Sequence, residues 1–522
     1  MTRRGFVAGA AVAGATLAAG VARAAETEET AETEAAPEVA EEAEAAPAEA
    51  SQALECDVVI AGAGAAGLWA GIEAVDAGLN VIVIDKASSV AMANGAQAGG
   101  PLAVGSKIQQ EIGDGFDVEI AFNSIMDWAH WSINAPVVKA ALEISGNTVD
   151  RFTDDFGIKM VVLPDSYHAG YQVRCSFSAD GVTPYSVSGE DRFMPLVNWI
   201  EDKGGQVLMN TPMTGLIVED GAVTGLRATD ADGNEIQIKA KATCVCTGGF
   251  QGNADMMFEK FGTQVMPLGN TLSDGTGINS MVEAGAALDT HWGIAGNEFA
   301  CSTPKDPWSF GNPNACASIG IVGGLLVNSH GRRFTNEGKY AEFPLAVGGT
   351  ISLEVGGTFY GVYDQTYMET VASQSTQDLE ADIQRAIDNG WGFKADSIAE
   401  LASMIDAPEL EATVERYNGF ADAGEDTDYY KDASLLSPVV DGPFYAFEYA
   451  PSCWVTMGGV KTNDRLQVID NMGTPIKGLY CAGVDNGTIL MVPYHCYEGT
   501  SLGMAFSTGR LAGRYIAEDL SA

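Results

Sequence analysis

Residues 56–85 read CDVVIAGAGAAGLWAGIEAVDAGLNVIVID. A short apolar run, 56–60, leads into Gly62, Gly64 and Gly67, which fill G-x-G-x-x-G where a strand turns into a helix. The first glycine permits the tight turn, the second lets a pyrophosphate approach the backbone, and the third lets helix and strand pack closely. The helix then offers its unpaired N–H groups and the positive end of its dipole to the pyrophosphate. A second apolar run, NVIVID, ends in Asp85, where an acid can reach ribose hydroxyls. Strand, glycine turn, helix, strand and acid together predict an α/β, Rossmann-like domain that binds a dinucleotide.

Three distant segments extend this reading. ATCVCTGGF (242–250) is an apolar strand ending in Thr247, Gly248 and Gly249. GTPIKGLYCAGVDNG (473–487) is a turn, a strand and an Ala-Gly step. EGTSLGMAFSTGRLAGRYIAEDL (498–520) is a glycine turn opening a terminal helix, with Leu502, Phe506, Leu511 and Ile516 at roughly helical spacing. Taken with DGTGINSMVEAGAAL (274–288), RRFTNE (332–337) and TMGGV (456–460), the chain resembles the fumarate reductase and 3-ketosteroid dehydrogenase flavoproteins from residue 55 to 522. The resemblance implies FAD as cofactor. It also implies an FAD-binding domain of residues 55–296 and 453–522, interrupted by an α+β capping domain of residues 297–452. By the same likeness the cofactor lies among Gly62, Gly64, Ala65, Ala66, Gly67, Asp85, Lys86, Gly99, Gly100, Val218, Thr247, Gly248, Gly249, Asp274, Asp485, Ser501 and Leu502. The terminal helix is expected to aim its amino end at the flavin, where the dipole favours the reduced, anionic form.

The residues that recognise a dicarboxylate in the fumarate reductases are missing. Ala341 stands where they carry the arginine acid, Val455 where they carry a histidine, and Cys496 where a second arginine clamps the substrate. Cys316 and Ala317 replace their Thr-Glu pair. Neither alanine nor cysteine can do the work of a bidentate guanidinium, which excludes fumarate. The ketosteroid dehydrogenases instead place a tyrosine after the Asn-Glu pair and another two residues before a glycine. Tyr340 and Tyr497 are the matching tyrosines, with Tyr340 one residue early and Glu498 in place of their usual proline. The likeness therefore implies a neutral carbonyl compound as substrate. Tyr340 would give a proton to the α-carbon, and Tyr497, His495 and the Gly499 N–H would hold the oxygen on which charge develops. Glu337 or Glu342 could relay that proton. The expected reaction is reduction of an activated C=C bond in an enone, steroid-like or lactone-containing. An aryl-acrylate reductase, a ketosteroid dehydrogenase running in reverse and a flavin-bearing binding protein without turnover stand as alternatives.

Composition limits the partners. The formal net charge of −42 argues against nucleic acid and anionic lipid. Nine scattered cysteines contain no C-x-x-C, and five histidines lack metal-ligand spacing, so neither haem nor a metal is expected. Arg3 and Arg4 precede a short Ala/Gly-rich run, and Ala22, Arg23 and Ala24 form a small-residue cleavage site. Residues 1–24 thus read as a twin-arginine export signal. Residues 25–54, rich in Glu and Ala and without Lys or Arg, read as an acidic disordered linker. No later segment is apolar enough to span a bilayer. Export to the cell envelope removes the protein from cytosolic NADH and implies an external electron-transfer partner, a membrane cytochrome or quinol system.

Overall fold

A computed structural model describes residues 52–163, 171–263, 265–295, 324–339, 353, 358–374, 379–494 and 496–522. The expected signal and most of the linker lie outside these residues. Gln52, Ala53 and Leu54, expected as linker, instead open the first strand, where they pair with Ile236, Gln237 and Ile238.

The sequence at 58–61 has no polar alternation, as a strand covered on both faces requires. Val58 and Ile60 point into one apolar cluster, Val59 and Ala61 into another, and all four are fully buried. This strand (Gln52–Ala61) lies mid-sheet, flanked in parallel by Val81–Ile84 and Glu235–Val245. Gln206–Leu208 extends one side of the sheet, and Pro475–Cys481 extends the other, also in parallel. The strands of this core therefore come from both ends of the described chain. Their carboxyl ends bring Ala61, Ile84, Val245 and Cys481 to one edge, the edge where open α/β sheets bind ligands. An antiparallel hairpin, Met213–Glu219 and Ala222–Thr229, pairs with the first half of Glu235–Val245.

One face of the sheet carries the first helix (Ala65–Asp76), and the last helix (Thr500–Ser521) packs against it. The two axes approach closely at small residues. A Cβ on Gly509 would stand 2.1 Å from the Ala66 carbonyl oxygen, and one on Gly513 would stand 2.5 Å from that of Ala70. A buried charge network fixes the crossing: the Glu73 carboxylate accepts from Arg510 Nε at 2.6 Å, Arg514 Nε at 2.8 Å and Arg151 Nη1 at 3.0 Å. The Arg510 and Arg151 guanidinium carbons each stand 5.2 Å from the Trp69 ring centre, a cation–π contact that offsets part of the cost of burying them.

A second, antiparallel sheet orders Leu325–Asn328, Phe359–Tyr363, Phe444–Tyr449 and Gly392–Ala395. It has apolar clusters of its own on its two faces, one around Phe359, Trp391 and Phe447 and one around Leu401, Leu410 and Tyr417. Two short strands, Gly293–Ala295 and Val455–Met457, pair antiparallel where the chain leaves for this region and returns from it. Among the described residues no helix is long and apolar enough to cross a membrane, and no acidic, cysteine or histidine cluster could hold a metal ion.

Candidate active site

The site begins at the carboxyl edge of the parallel strands. Gly62 has φ +107°, and a Cβ there would stand 2.2 Å from the Cys246 carbonyl oxygen, so only glycine fits. A Cβ on Gly67 would meet the Gly62 carbonyl oxygen at 1.8 Å, which explains the third glycine of the motif. Above Gly64 there is room: a Cβ there would find only the Ala93 methyl, at 3.9 Å. That opening lies over the amino end of the first helix, at Ala65 and Ala66. It is the cradle a pyrophosphate needs. Asp85 accepts from the N–H groups of Ala63 and Ala87, each at 2.7 Å. Each carboxylate oxygen retains a lone pair for a ribose hydroxyl. Burial pushes its pKa up, partly offset by those two N–H groups. The residues fit FAD.

Lys86 and Asp274 were both expected at the cofactor, and they pair with each other at 2.6 Å. Burial raises the Asp274 pKa, but Lys86 and Thr276 outweigh it and hold the carboxyl below its usual range.

Asp485 is wholly buried, and its oxygens accept from the N–H groups of Thr247, Gly248 and Gly249 and from the Thr247 hydroxyl. Gly248 and Gly249 hold φ of +92° and +87°. Asp485, expected at the cofactor, thus braces the Thr-Gly-Gly turn. Val218 departs from expectation. It sits in the hairpin opposite Val223, with its side chain exposed, because the chain has already turned away from the site. Thr211, just before that hairpin, donates its N–H to the Asp85 carbonyl at 2.7 Å.

The last glycine turn closes the site from the other side. Gly499 caps the last helix at φ +78°, and its carbonyl accepts from Leu102 N at 2.8 Å. A Cβ there would stand 2.5 Å from that nitrogen and 2.7 Å from the Gly100 carbonyl oxygen. The turn and the Gly99–Gly100 loop are thus in direct backbone contact. In the first turn of the helix, Ser501 N donates to the Tyr494 hydroxyl at 2.8 Å. The Ser501 amide, expected on the flavin, has a protein partner. Leu502, one residue on, is buried. The Tyr497 hydroxyl donates to Ser124 Oγ at 2.9 Å, and its ring packs edge-on against Phe116. Tyr340 and His495 lie outside the described residues, as does Glu342.

The Arg-Arg-Phe-Thr-Asn-Glu stretch is structural where it is described. Arg333 donates to both Glu337 and Asp426, at 2.8 and 2.9 Å, and Lys431 lies 3.6 Å from Glu337. All four side chains are almost entirely buried. Held between Arg333 and Lys431, Glu337 anchors this loop. Arg332 pairs at the surface with Glu409. Cys244 and Cys246 behave as core: both are buried, with their sulfur atoms 3.6 Å apart.

Sequence reading missed Arg174 and Glu498. Arg174 Nε lies 3.0 Å from Glu498 Oε2, and its Nη2 donates to the Tyr185 hydroxyl at 2.6 Å. The available signal was a charged residue inside each of two otherwise apolar or small-residue stretches, Val173–Cys175 and Cys496–Gly499.

Comparison with known proteins agrees with this geometry. A profile of the FAD binding domain matches residues 57–500. The vinyl phenol reductase of Lactiplantibacillus plantarum is 27% identical over 88% of this chain and 96% of its own length. The NADH:acrylate oxidoreductase of Vibrio harveyi is 31% identical over 60% of this chain, and the match spans 30% of that longer protein. Among solved structures, 3-ketosteroid Δ1-dehydrogenase from Sterolibacterium denitrificans, in complex with 1,4-androstadiene-3,17-dione, superposes with a TM-score of 0.72 at 19% identity. That match covers 89% of this chain and 100% of that one, and it is a likeness of fold.

Proposed function

The chain belongs to the FAD-binding-domain family, and from that premise we propose that it reduces an activated C=C bond of a neutral, conjugated small molecule with electrons from an external donor. It is an FAD-dependent oxidoreductase acting on carbon–carbon bonds. The observation that carries the reading is the contact of Gly499 with the Gly99–Gly100 loop beside the Gly64 cradle, with Cys496 and Val455 where a dicarboxylate site needs charge.

Bound FAD supplies a hydride to one carbon of the double bond. The chain's own residues do the rest. Gly62, Gly64, Gly67 and Asp85 would hold the pyrophosphate and ribose, and the Thr247–Gly249 turn, braced by Asp485, would complete the cofactor site. Gly499 and Leu502 present backbone N–H groups at the start of the last helix, where they favour developing negative charge. In this reading Tyr340 protonates the second carbon, and residues 297–452 cap the site and exclude water. Tyr497, tied to Ser124, sets the position of the last glycine turn.

The test is anaerobic. The protein is reduced with dithionite and mixed with a 3-ketosteroid enone, 4-vinylphenol, cinnamate and urocanate, and flavin reoxidation is followed by absorbance. Rapid reoxidation by the neutral compounds is expected. Reoxidation by the carboxylates alone would replace the reading with an aryl-acrylate reductase. Failure of all four, alongside ready dye-linked dehydrogenation of a saturated ketone, would reverse its direction. Tyr340→Phe is expected to slow reoxidation by about 10² while leaving the bound flavin spectrum unchanged. An unchanged rate removes Tyr340 from the mechanism.

A further inference from the structure

Arg174 opens the strand Arg174–Ser178, between the fully buried Val173 and Cys175. Its neighbours belong to the two glycine turns that meet at the active site. Leu102 forms an isolated β-bridge with Arg174 and donates its N–H to Gly499, while Cys175 N donates to the Pro101 carbonyl at 2.9 Å. A Cβ on Gly99 would stand 3.2 Å from Tyr185 Cε1 and 3.7 Å from Arg174 Nη1. Arg174, Glu498 and Tyr185 therefore form the wall directly behind Gly99 and beside Gly499.

The wall is built from buried charge. The Arg174 and Glu498 side chains are 15% and 1% exposed. Tyr185 holds φ +58°, a left-handed conformation that costs a bulky residue energy. Its backbone N–H donates to Ser176 Oγ at 3.0 Å, and its hydroxyl accepts from Arg174, which fixes it there. Arg192, the other cation behind this loop, donates through Nε and Nη1 to the carbonyls of Val187, Ala96 and Ala98.

We propose that the Arg174–Glu498 pair is the specificity determinant of this site: Glu498 neutralises the arginine, so that the pocket accepts an uncharged phenol or ketone and disfavours a carboxylate. The proposal rests on the reading of the site as that of a C=C reductase. A carboxylate arriving at Arg174 must share the guanidinium with a buried carboxylate, and like charges in a partly dry site repel strongly. A phenol or ketone oxygen brings no net charge and can use the hydroxyl and N–H groups already present. Removing the Glu498 charge leaves a buried, uncompensated cation, which a substrate carboxylate would then pair.

The experiment compares cinnamate with 4-vinylphenol on the FAD-loaded, oxidised protein. Dissociation constants are read from perturbation of the flavin absorbance, which does not require turnover. Glu498→Gln is expected to raise the ratio of cinnamate to 4-vinylphenol affinity at least tenfold, and Arg174→Gln added to it is expected to abolish that gain. An unchanged ratio in a Glu498→Gln protein that retains its flavin overturns the proposal. Should that variant lose its flavin, Glu498→Ser removes the same charge and takes its place. Loss of flavin by both overturns the proposal in favour of a purely architectural pair. These outcomes are separable from failure of the functional reading, in which the wild-type reduced flavin is reoxidised by neither compound.

Discussion

Asp485 shows how much one buried carboxylate can organise. It takes four hydrogen bonds from three consecutive residues, two of them glycines held at positive φ. Asp485→Asn keeps the shape but turns an amide donor towards backbone N–H groups. A cost on the order of 2–3 kcal/mol is expected, with weakened FAD retention. Thermal melting and the flavin absorbance of the purified variant check both. The resemblance to the flavoprotein family placed Asp485 and Thr247–Gly249 in the same neighbourhood, and each follows a strand that ends at the same sheet edge. The four hydrogen bonds between them depend on the path of each turn beyond its strand, which no local pattern specifies. The Arg174–Glu498 pair was illegible for a related reason. A lone charge in each apolar or small-residue stretch was visible, but neither segment names a partner so far along the chain.

Elements were more legible than contacts. The first strand–turn–helix and the terminal helix appear as read, and Leu502, Phe506, Leu511 and Ile516 are all buried. What the reading lacked was the hairpin behind the sheet. Asp220 and Gly221, at φ +51° and +77°, make its tight turn, and an Asp-Gly step between apolar runs is the sequence signal for one. Heeding it would have kept Val218 out of the site. The crossing of the first and last helices carries its own prediction. Gly509→Val forces two branched methyls against the Ala66 carbonyl and is expected to cost about 3 kcal/mol, seen as a lower melting temperature. In the second sheet region, burial raises the Asp426 pKa but the Arg333 guanidinium outweighs it, so the folded value falls to about 2. An unfolded aspartate titrates near about 4. The pair therefore contributes its full stability above about pH 4, and that contribution is lost as pH falls towards about 2. The stability measured by urea melts should fall more steeply across this range in wild type than in Asp426→Asn.

At the scale of the whole molecule, charge and the amino-terminal segment bear on where the protein works. We propose export by the twin-arginine route, motivated by Arg3, Arg4 and the small-residue site at 22–24. Replacing both arginines with lysine is expected to leave the protein in the cytoplasm, still carrying flavin, when fractions are probed by immunoblot. Secretion undiminished by that change would refute the route. We propose that the formal charge of −42 favours an electron donor with a basic docking face, in which case electron transfer is expected to slow as salt rises.

The parallel sheet joins strands from residues 52–245 to one at Pro475–Cys481, and the wall of the cofactor site is finished by the helix that follows. Those last segments are made after residues 52–245 and after the second sheet. Tight retention of a flavin is therefore expected only once that strand and helix are in place. If the protein leaves the cell interior already folded, scarcity of FAD before passage through the membrane would limit how much active protein reaches the outside.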